Sequence, residues 1–493
     1  MSVYIDRFRY SWLSLILVFG GMKAMSQPPR NDIDLLLKSF IEDSLLRHAH
    51  VALNVIDLRS ERVVAQHHPD LAMVPASTLK LITCGMLFFS QAEMETFATP
   101  VRLEGHFTGD SGFVGKLVVA GRGDPALGST HLPGAVGIDS IAAQISGALR
   151  GLGIKRLEGD LEVDEKYLSN IPENPEWLYY DLGNYYGGGC RAFNWADNEV
   201  LVGLSAAEKP GAICPLRWTR PPEAIEDFTS AVEGSGNAVI KPNVYVIGTS
   251  SNRHKRIYGN WKCCSDDSIV LRAAMYRPAE HFLRSLKQEL VKRGVSFSEA
   301  SNGIGQQTNV RSLALTEIQS PVLGALARFA LERSSNLYCE AFLHWMGNCF
   351  AGSADRDSAL HWLTKTLMGA ATENQAFKML DGSGLSPKNL ISASNMTAFL
   401  HLLTLARPDK NFWKWIPEFL PVPEKSRSPG TKCSLRLKSG SMERVKAYAG
   451  YCMRGEQPAY AISIMVNNFV AEPAAVKRRI SSFLVDLEEL LCK

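Results

Sequence analysis

The chain has 493 residues, of which 46% are apolar and 21% charged, so a sizeable packed core is available and length alone allows roughly two to four domains. The formal net charge is only +3. That balance excludes an electrostatic case for binding nucleic acid or a strongly anionic membrane surface.

Residues 1–26 read as a signal peptide. Arg7 and Arg9 form a basic start, and 12–21 is an apolar run of about ten residues, too short to span a bilayer. Ala24-Met25-Ser26 offers small residues for cleavage near Gln27, and the absence of a following Cys argues against a lipoprotein. No later stretch is apolar enough to cross a membrane, so the mature chain is expected to have no transmembrane segment. Residues 50–58 alternate as a strand does, with 62–66 as the hairpin partner. Pro75 precedes a helical run over 77–89. From about Val101 the texture changes to short, Gly-punctuated strands at 101–107 and 115–120.

Two amphipathic helices then follow one plan. One carries Ile138, Ile141, Ala142, Ile145 and Leu149 and ends near Gly153; the other carries Phe282, Leu283, Leu286 and Leu290 and ends at Gly294; each leads into an extended segment. Between them, 172–253 reads as loop-rich. After Ser320 come helices at 323–331, 337–350 and 359–368, then strands at 435–437, 447–451 and 459–467, and a closing helix at 476–491. The first and last portions share a mixed helix and antiparallel-strand texture, an α/β (α+β) class. The economical organisation is one domain in two parts, 27–98 and 305–493, split by an insertion at 99–304. Ten scattered cysteines, with no CxxC pair and no HExxH, support no metal site; they read as small buried hydrophobes with one or two bridges.

Three short motifs carry chemistry. Ser77-Thr78-Leu79-Lys80 puts a hydroxyl and an amine on one helix face, where a lysine of lowered pKa can take the serine's proton. Ser334-Ser335-Asn336 lies between two predicted helices and can turn the Ser334 hydroxyl and the Asn336 amide inward. Lys438-Ser439-Gly440-Ser441 ends a predicted strand. There Lys438 supplies a cation and Ser439 a hydroxyl for a terminal carboxylate, while Gly440 leaves room for a substrate backbone along the strand edge. The N–H groups of Ser441 and Ser77 offer an oxyanion hole. Each motif alone is weak. Asp124 and Asp381, both beside glycine, read as turn residues, and His67-His68 is given no role.

SxxK, SxN and K[ST]G in this order resemble the triple signature of penicillin-binding proteins and serine β-lactamases. With about 250 residues between Ser77 and Ser334, the chain resembles the class C low-molecular-mass penicillin-binding proteins, the D-Ala-D-Ala carboxypeptidase/endopeptidase family. Gly121-Arg122-Gly123-Asp124-Pro125, Tyr185-Tyr186-Gly187-Gly188 with Phe193-Asn194 and Asn198, Asp381-Gly382-Ser383-Gly384-Leu385-Ser386 and 445–451 match further family segments. The third motif is KSG rather than the commoner KTG, Ser335 stands where Asp is common, and Arg122 replaces a Gly; none of these removes a catalytic group.

The resemblance implies a discontinuous penicillin-binding protein/serine β-lactamase-like transpeptidase domain with a large, β-rich, two-domain insertion. It further implies a periplasmic serine DD-peptidase acting on peptidoglycan peptides, acylated by β-lactams and needing no cofactor. Ser77, Lys80, Ser334, Asn336 and Lys438 would be catalytic; Ser439, Gly440 and Ser441 would bind substrate or oxyanion. The same site leaves open a β-lactamase or esterase, and a non-enzymatic cell-wall binding role.

Overall fold

The computed structural model describes residues 31–109, 111–168, 172–236, 243–298, 311–371, 376–421 and 433–493. The expected signal peptide and the expected boundary at 304/305 lie outside them. The chain forms two compact units. The first takes the described residues up to Met94 together with Ala327–Lys493, and the second is Glu95–Leu326.

The first unit is built on a five-stranded antiparallel sheet in the order Cys433–Met442, Val445–Arg454, Gln457–Asn467, His50–Asp57, Val63–His67. Residues 50–58 form the expected strand, and six consecutive residues, Val51 to Ile56, are buried. The reason is that helices cover both faces. On one side Asn31–Ile41 and Pro473–Cys492 bring Ile33, Leu37, Phe40, Ile480, Phe483, Leu484 and Leu487 onto the sheet. On the other, Ala393–Ala406 packs on the central strands, with Lys80–Phe89 against it and against Asn336–Met346. All ten residues of Lys80–Phe89 are buried, as befits a helix that is apolar apart from Lys80 and Thr83. A disulfide joins Cys433 to Cys492, tying the first strand of the sheet to the last helix.

The second unit has a five-stranded mixed sheet in the order Ser296–Ser298, Arg156–Asp164, Gly112–Ala120, Ala98–Thr108, Arg311–Gln319. The two amphipathic helices, Ile138–Gly151 and Pro278–Lys292, pack on each other and on this sheet. The first is the crossover between parallel neighbours Gly112–Ala120 and Arg156–Asp164, and the second leads into Ser296–Ser298, parallel to Arg156–Asp164. Both end alike. Gly153 (φ +73°) and Gly294 (φ +83°) take the left-handed conformation, and the next N–H (Ile154, Val295) returns to the carbonyl of Leu149 or Leu290.

Two features differ from the sequence expectation. The described part of 172–253 holds four strands, Glu199–Ser205, Leu216–Arg220, Phe228–Ser235 and Asn243–Ile247, which with Lys255–Lys262 and Ser268–Ala274 form two three-stranded sheets around a second core of Val200, Val202, Val232, Val246, Ile257 and Trp261. Glycines 203 and 234, packed against Trp218 and Ala207, interrupt the strand pattern in the sequence. The described residues from Arg311 to Leu326 also belong to the second unit. Arg311–Gln319 pairs antiparallel with Ala98–Thr108, where Ile318 and the partly buried Leu315 join that sheet's core. The second unit therefore runs on to Leu326.

Asp124 behaves as turn chemistry requires: its Oδ1 accepts the Ala126 N–H at 2.8 Å. The carboxyl is 1% exposed, and burial raises its pKa from 3.8 to about 7. The folded state thus keeps this proton up to about 7, whereas the unfolded state releases it near 3.8. Native protein binds more protons than unfolded across that window, so stability falls as pH rises through it. The change is bounded at about 4 kcal/mol, taking ~1.4 kcal/mol per pKa unit. Urea unfolding at pH 4 to 7.5 should show this decline, and Asp124→Asn should flatten it.

Candidate active site

Ser77 lies in the first unit on a tight turn. The segment Ala76–Leu79 is a 3-10 helix, and the α-helix starts only at Lys80. A continuous helix from Ser77 was the sequence expectation. The difference matters because i and i+3 nearly eclipse in a 3-10 turn, so Lys80 stands directly over Ser77. Thr78 Oγ donates to the Pro75 carbonyl at 2.7 Å, closing the turn, and Ala76 is held at φ +46°, a strained value for a residue with a Cβ.

Lys80 is fully buried, and three oxygens surround its amine. Nζ lies 2.9 Å from Ser77 Oγ, 2.7 Å from Asn336 Oδ1 and 2.6 Å from the Ser383 carbonyl oxygen. Asn336 and Ser383 present carbonyl oxygens, which only accept; the Ser77 hydroxyl also donates. A neutral Lys80 can therefore spend its two hydrogens on Asn336 and Ser383 and aim its lone pair at the Ser77 proton. Burial lowers the Lys80 pKa, against the opposing influence of Cys339, Asp381, Glu340 and Cys84.

The second motif sits where Leu323–Arg333 ends and Asn336–Met346 begins. Ser334 adopts φ +56° at this joint, and Asn336 opens the following helix. Lys438, 2% exposed, donates from Nζ to Ser334 Oγ at 3.0 Å and to the Ser439 carbonyl at 2.8 Å. Burial first, then the Lys80 charge, lowers its pKa to about 7. Ser77 and Ser334 are partly exposed, and Ser439 and Ser441 are exposed, so hydroxyls line the opening above two buried amines.

The strand Cys433–Met442 is the sheet's edge. Its hydrogen-bonding alternates regularly: the Leu437 N–H donates to the Pro417 carbonyl and the Leu435 carbonyl accepts from Phe419, both on the side away from Val445–Arg454. The same alternation turns the N–H groups of Ser439 and Ser441 to that open side. Ser441 Oγ is also bonded by Lys446 Nζ. Gly440 also meets a need that the sequence does not disclose. A Cβ there would meet the Pro75 carbonyl oxygen at 2.6 Å and the Ser77 and Thr78 nitrogens at 3.1 Å. The space a side chain would need is taken by the nucleophile turn.

All eight residues singled out in the sequence therefore lie in the first unit, the first five linked by two amines. The Ser383 carbonyl was missed. It belongs to a loop read only as a turn, and 303 residues separate it from Lys80.

Comparison with known proteins agrees with this architecture. The model of the D-Ala-D-Ala carboxypeptidase 3 (S13) family matches residues 35–489. The D-alanyl-D-alanine carboxypeptidase of Actinomadura sp. (strain R39) is 25% identical over 472 residues, covering 90% of this chain and 82% of that protein. The D-alanyl-D-alanine carboxypeptidase DacB of Haemophilus influenzae is 21% identical over 372 residues, covering 74% of this chain and 73% of that protein. The crystal structure of penicillin binding protein 4 (dacB) from that organism superposes with a TM-score of 0.73 at 18% identity, covering 94% of this chain and 99% of that one. The fold is thus that of a penicillin-binding protein with a β-rich, multi-domain insertion, and the chain belongs to the D-Ala-D-Ala carboxypeptidase 3 (S13) family of serine hydrolases.

Proposed function

We propose that this enzyme cleaves the D-Ala-D-Ala bond of peptidoglycan stem peptides, as carboxypeptidase and as DD-endopeptidase on cross-links, through an acyl-enzyme on Ser77. One observation carries the reading: Lys80 Nζ has two pure acceptors and one hydroxyl around it, so its neutral form has only Ser77 to deprotonate.

Lys80 takes the Ser77 proton as Oγ attacks the carbonyl of the penultimate D-Ala. The N–H groups of Ser77 and Ser441 receive the oxyanion. The Lys438 ammonium favours proton delivery through Ser334 to the leaving amine, and Ser439 binds the terminal carboxylate. Asn336 fixes Lys80 and holds the substrate amide. Water then hydrolyses the ester, with the same groups reversing roles. None of these steps calls for a metal or organic cofactor.

β-Lactams should acylate Ser77 because their ring carbonyl occupies the peptide carbonyl's position and the leaving group stays tethered. The structure of the Haemophilus influenzae relative has been solved with a β-lactam, which supports extending the same chemistry here. Such an enzyme would work in the periplasm, where its substrate lies, consistent with the proposed leader at 1–26.

The test is labelling of full-length protein with a fluorescent penicillin, followed by mass analysis of cross-linked muropeptides. Label on wild type and none on Ser77→Ala is expected, with release of D-Ala and of uncross-linked peptides. Label persisting on Ser77→Ala would refute the assignment. Rapid loss of label from wild type would identify a β-lactamase instead, and label without peptide cleavage a binding protein.

A further inference from the structure

Behind Lys80 lies a second layer of polar contacts. Glu340 is one turn along the helix from Asn336, on the same face, and is 3% exposed. Its Oε2 accepts the Gly382 N–H at 3.2 Å, while Thr83 Oγ, from the Lys80–Phe89 helix, donates to the Gly382 carbonyl at 2.6 Å. The Gly382 peptide is thus gripped by both helices that supply the site, and a Cβ on it would meet the Cys339 carbonyl oxygen at 2.5 Å. One residue further on, the Ser383 carbonyl accepts from Lys80. Asp381 shapes the rest of the loop, with Oδ1 accepting from the Gly384 N–H (2.7 Å) and Asn389 Nδ2 (2.9 Å) and Oδ2 from the Ser386 N–H (2.6 Å).

We propose that Glu340 is a positioning residue for acylation: its carboxylate holds the Gly382 amide, which keeps the Ser383 carbonyl on Lys80 and places a negative charge behind that amine. This rests on the acyl-enzyme reading above.

Asp381 in the loop and Arg356 on the next helix act on this carboxylate directly, and it acts in turn on Lys80, whose other titratable neighbours are Cys84 on the nucleophile helix, Cys339 on the Glu340 helix and Lys438 on the edge strand. Burial, and then Asp381, raise the Glu340 pKa to about 7; Ser383, Arg356 and the Gly382 N–H favour ionisation. When ionised, Glu340 favours the Lys80 ammonium. A neutral side chain in its place lets Lys80 lose its proton at lower pH.

The experiment is the pH profile of acylation by fluorescent penicillin, on full-length wild type, Glu340→Gln and Glu340→Ala. Glutamine retains an oxygen for the Gly382 N–H and removes the charge. Its acid limb should move toward lower pH by about one unit or less. Alanine removes the grip as well and should slow acylation about 10- to 100-fold, as small displacements of a reacting group do. If Glu340→Ala does not fold, Glu340→Gln decides alone. A Gln profile that superimposes on wild type overturns the inference, as does a lowered melting temperature with an unmoved limb. An unlabelled wild type overturns the acyl-enzyme reading and this inference with it; a labelled wild type with coincident profiles overturns only the role of Glu340.

Discussion

Lys80→Met is expected to slow penicillin acylation of Ser77 by about 10²- to 10⁴-fold, the range associated with losing a positioned general base. The side chains are of similar length, so the buried space is refilled. What disappears is the group 2.9 Å from the Ser77 hydroxyl, which also donates to Asn336 Oδ1 and to the Ser383 carbonyl. Losing a donor to a buried oxygen costs about 1–3 kcal/mol where no other group replaces it. Removing a buried amine whose pKa burial has already lowered offsets part of that cost. The variant should therefore fold, with an unchanged far-ultraviolet spectrum, while stopped-flow acylation drops. A rate within about tenfold of wild type would mean that another group takes the Ser77 proton.

The second large effect is expected at a residue with no side chain. Gly440→Ala places a methyl 2.6 Å from the Pro75 carbonyl oxygen and 3.1 Å from two backbone nitrogens of the nucleophile turn. None of these atoms can rotate away. The edge strand must retreat from Ser77, at about 1–3 kcal/mol for overpacking. Retreat moves Lys438, Ser439 and Ser441 together, since all share that strand. Acylation should fall about 100-fold, in line with a misplacement of ~1 Å. Gly151→Ala is the control: nothing lies within 4 Å of a Cβ there and its backbone is helical, so its rate should match wild type. A wild-type rate in Gly440→Ala would show that strand and turn are not held in register by close contact.

Both effects follow from parts of the molecule that differ in how far the sequence discloses them. The strands of the central sheet and the closing helix were legible, because their apolar runs are long and bounded by turns. The four strands within 172–253 were not, because glycine, proline and aromatic residues break the period-two pattern and packing on Trp261 and its neighbours decides instead. The close contact of Gly440 with the nucleophile turn was not legible, because absence of a side chain does not say which neighbour needs the room. Glu340 looked like an ordinary helix residue four positions after Asn336, and only its burial under the Asp381–Ser386 loop gives it a partner.

By itself the sequence determined which groups are available and which of them meet locally. Lys80 reaches Ser77 because three residues along a helical turn share a face, a property of backbone geometry that needs no other part of the chain. The tertiary structure decided everything that spans long separations. It brings Asn336 to Lys80 across 256 residues, Ser383 across 303, and Lys438 to Ser334 across 104. Those meetings depend on two helices and a sheet edge packing at one place, with glycine at the tightest contact. That packing also buries both amines, and the loss of water is what lowers their proton affinity.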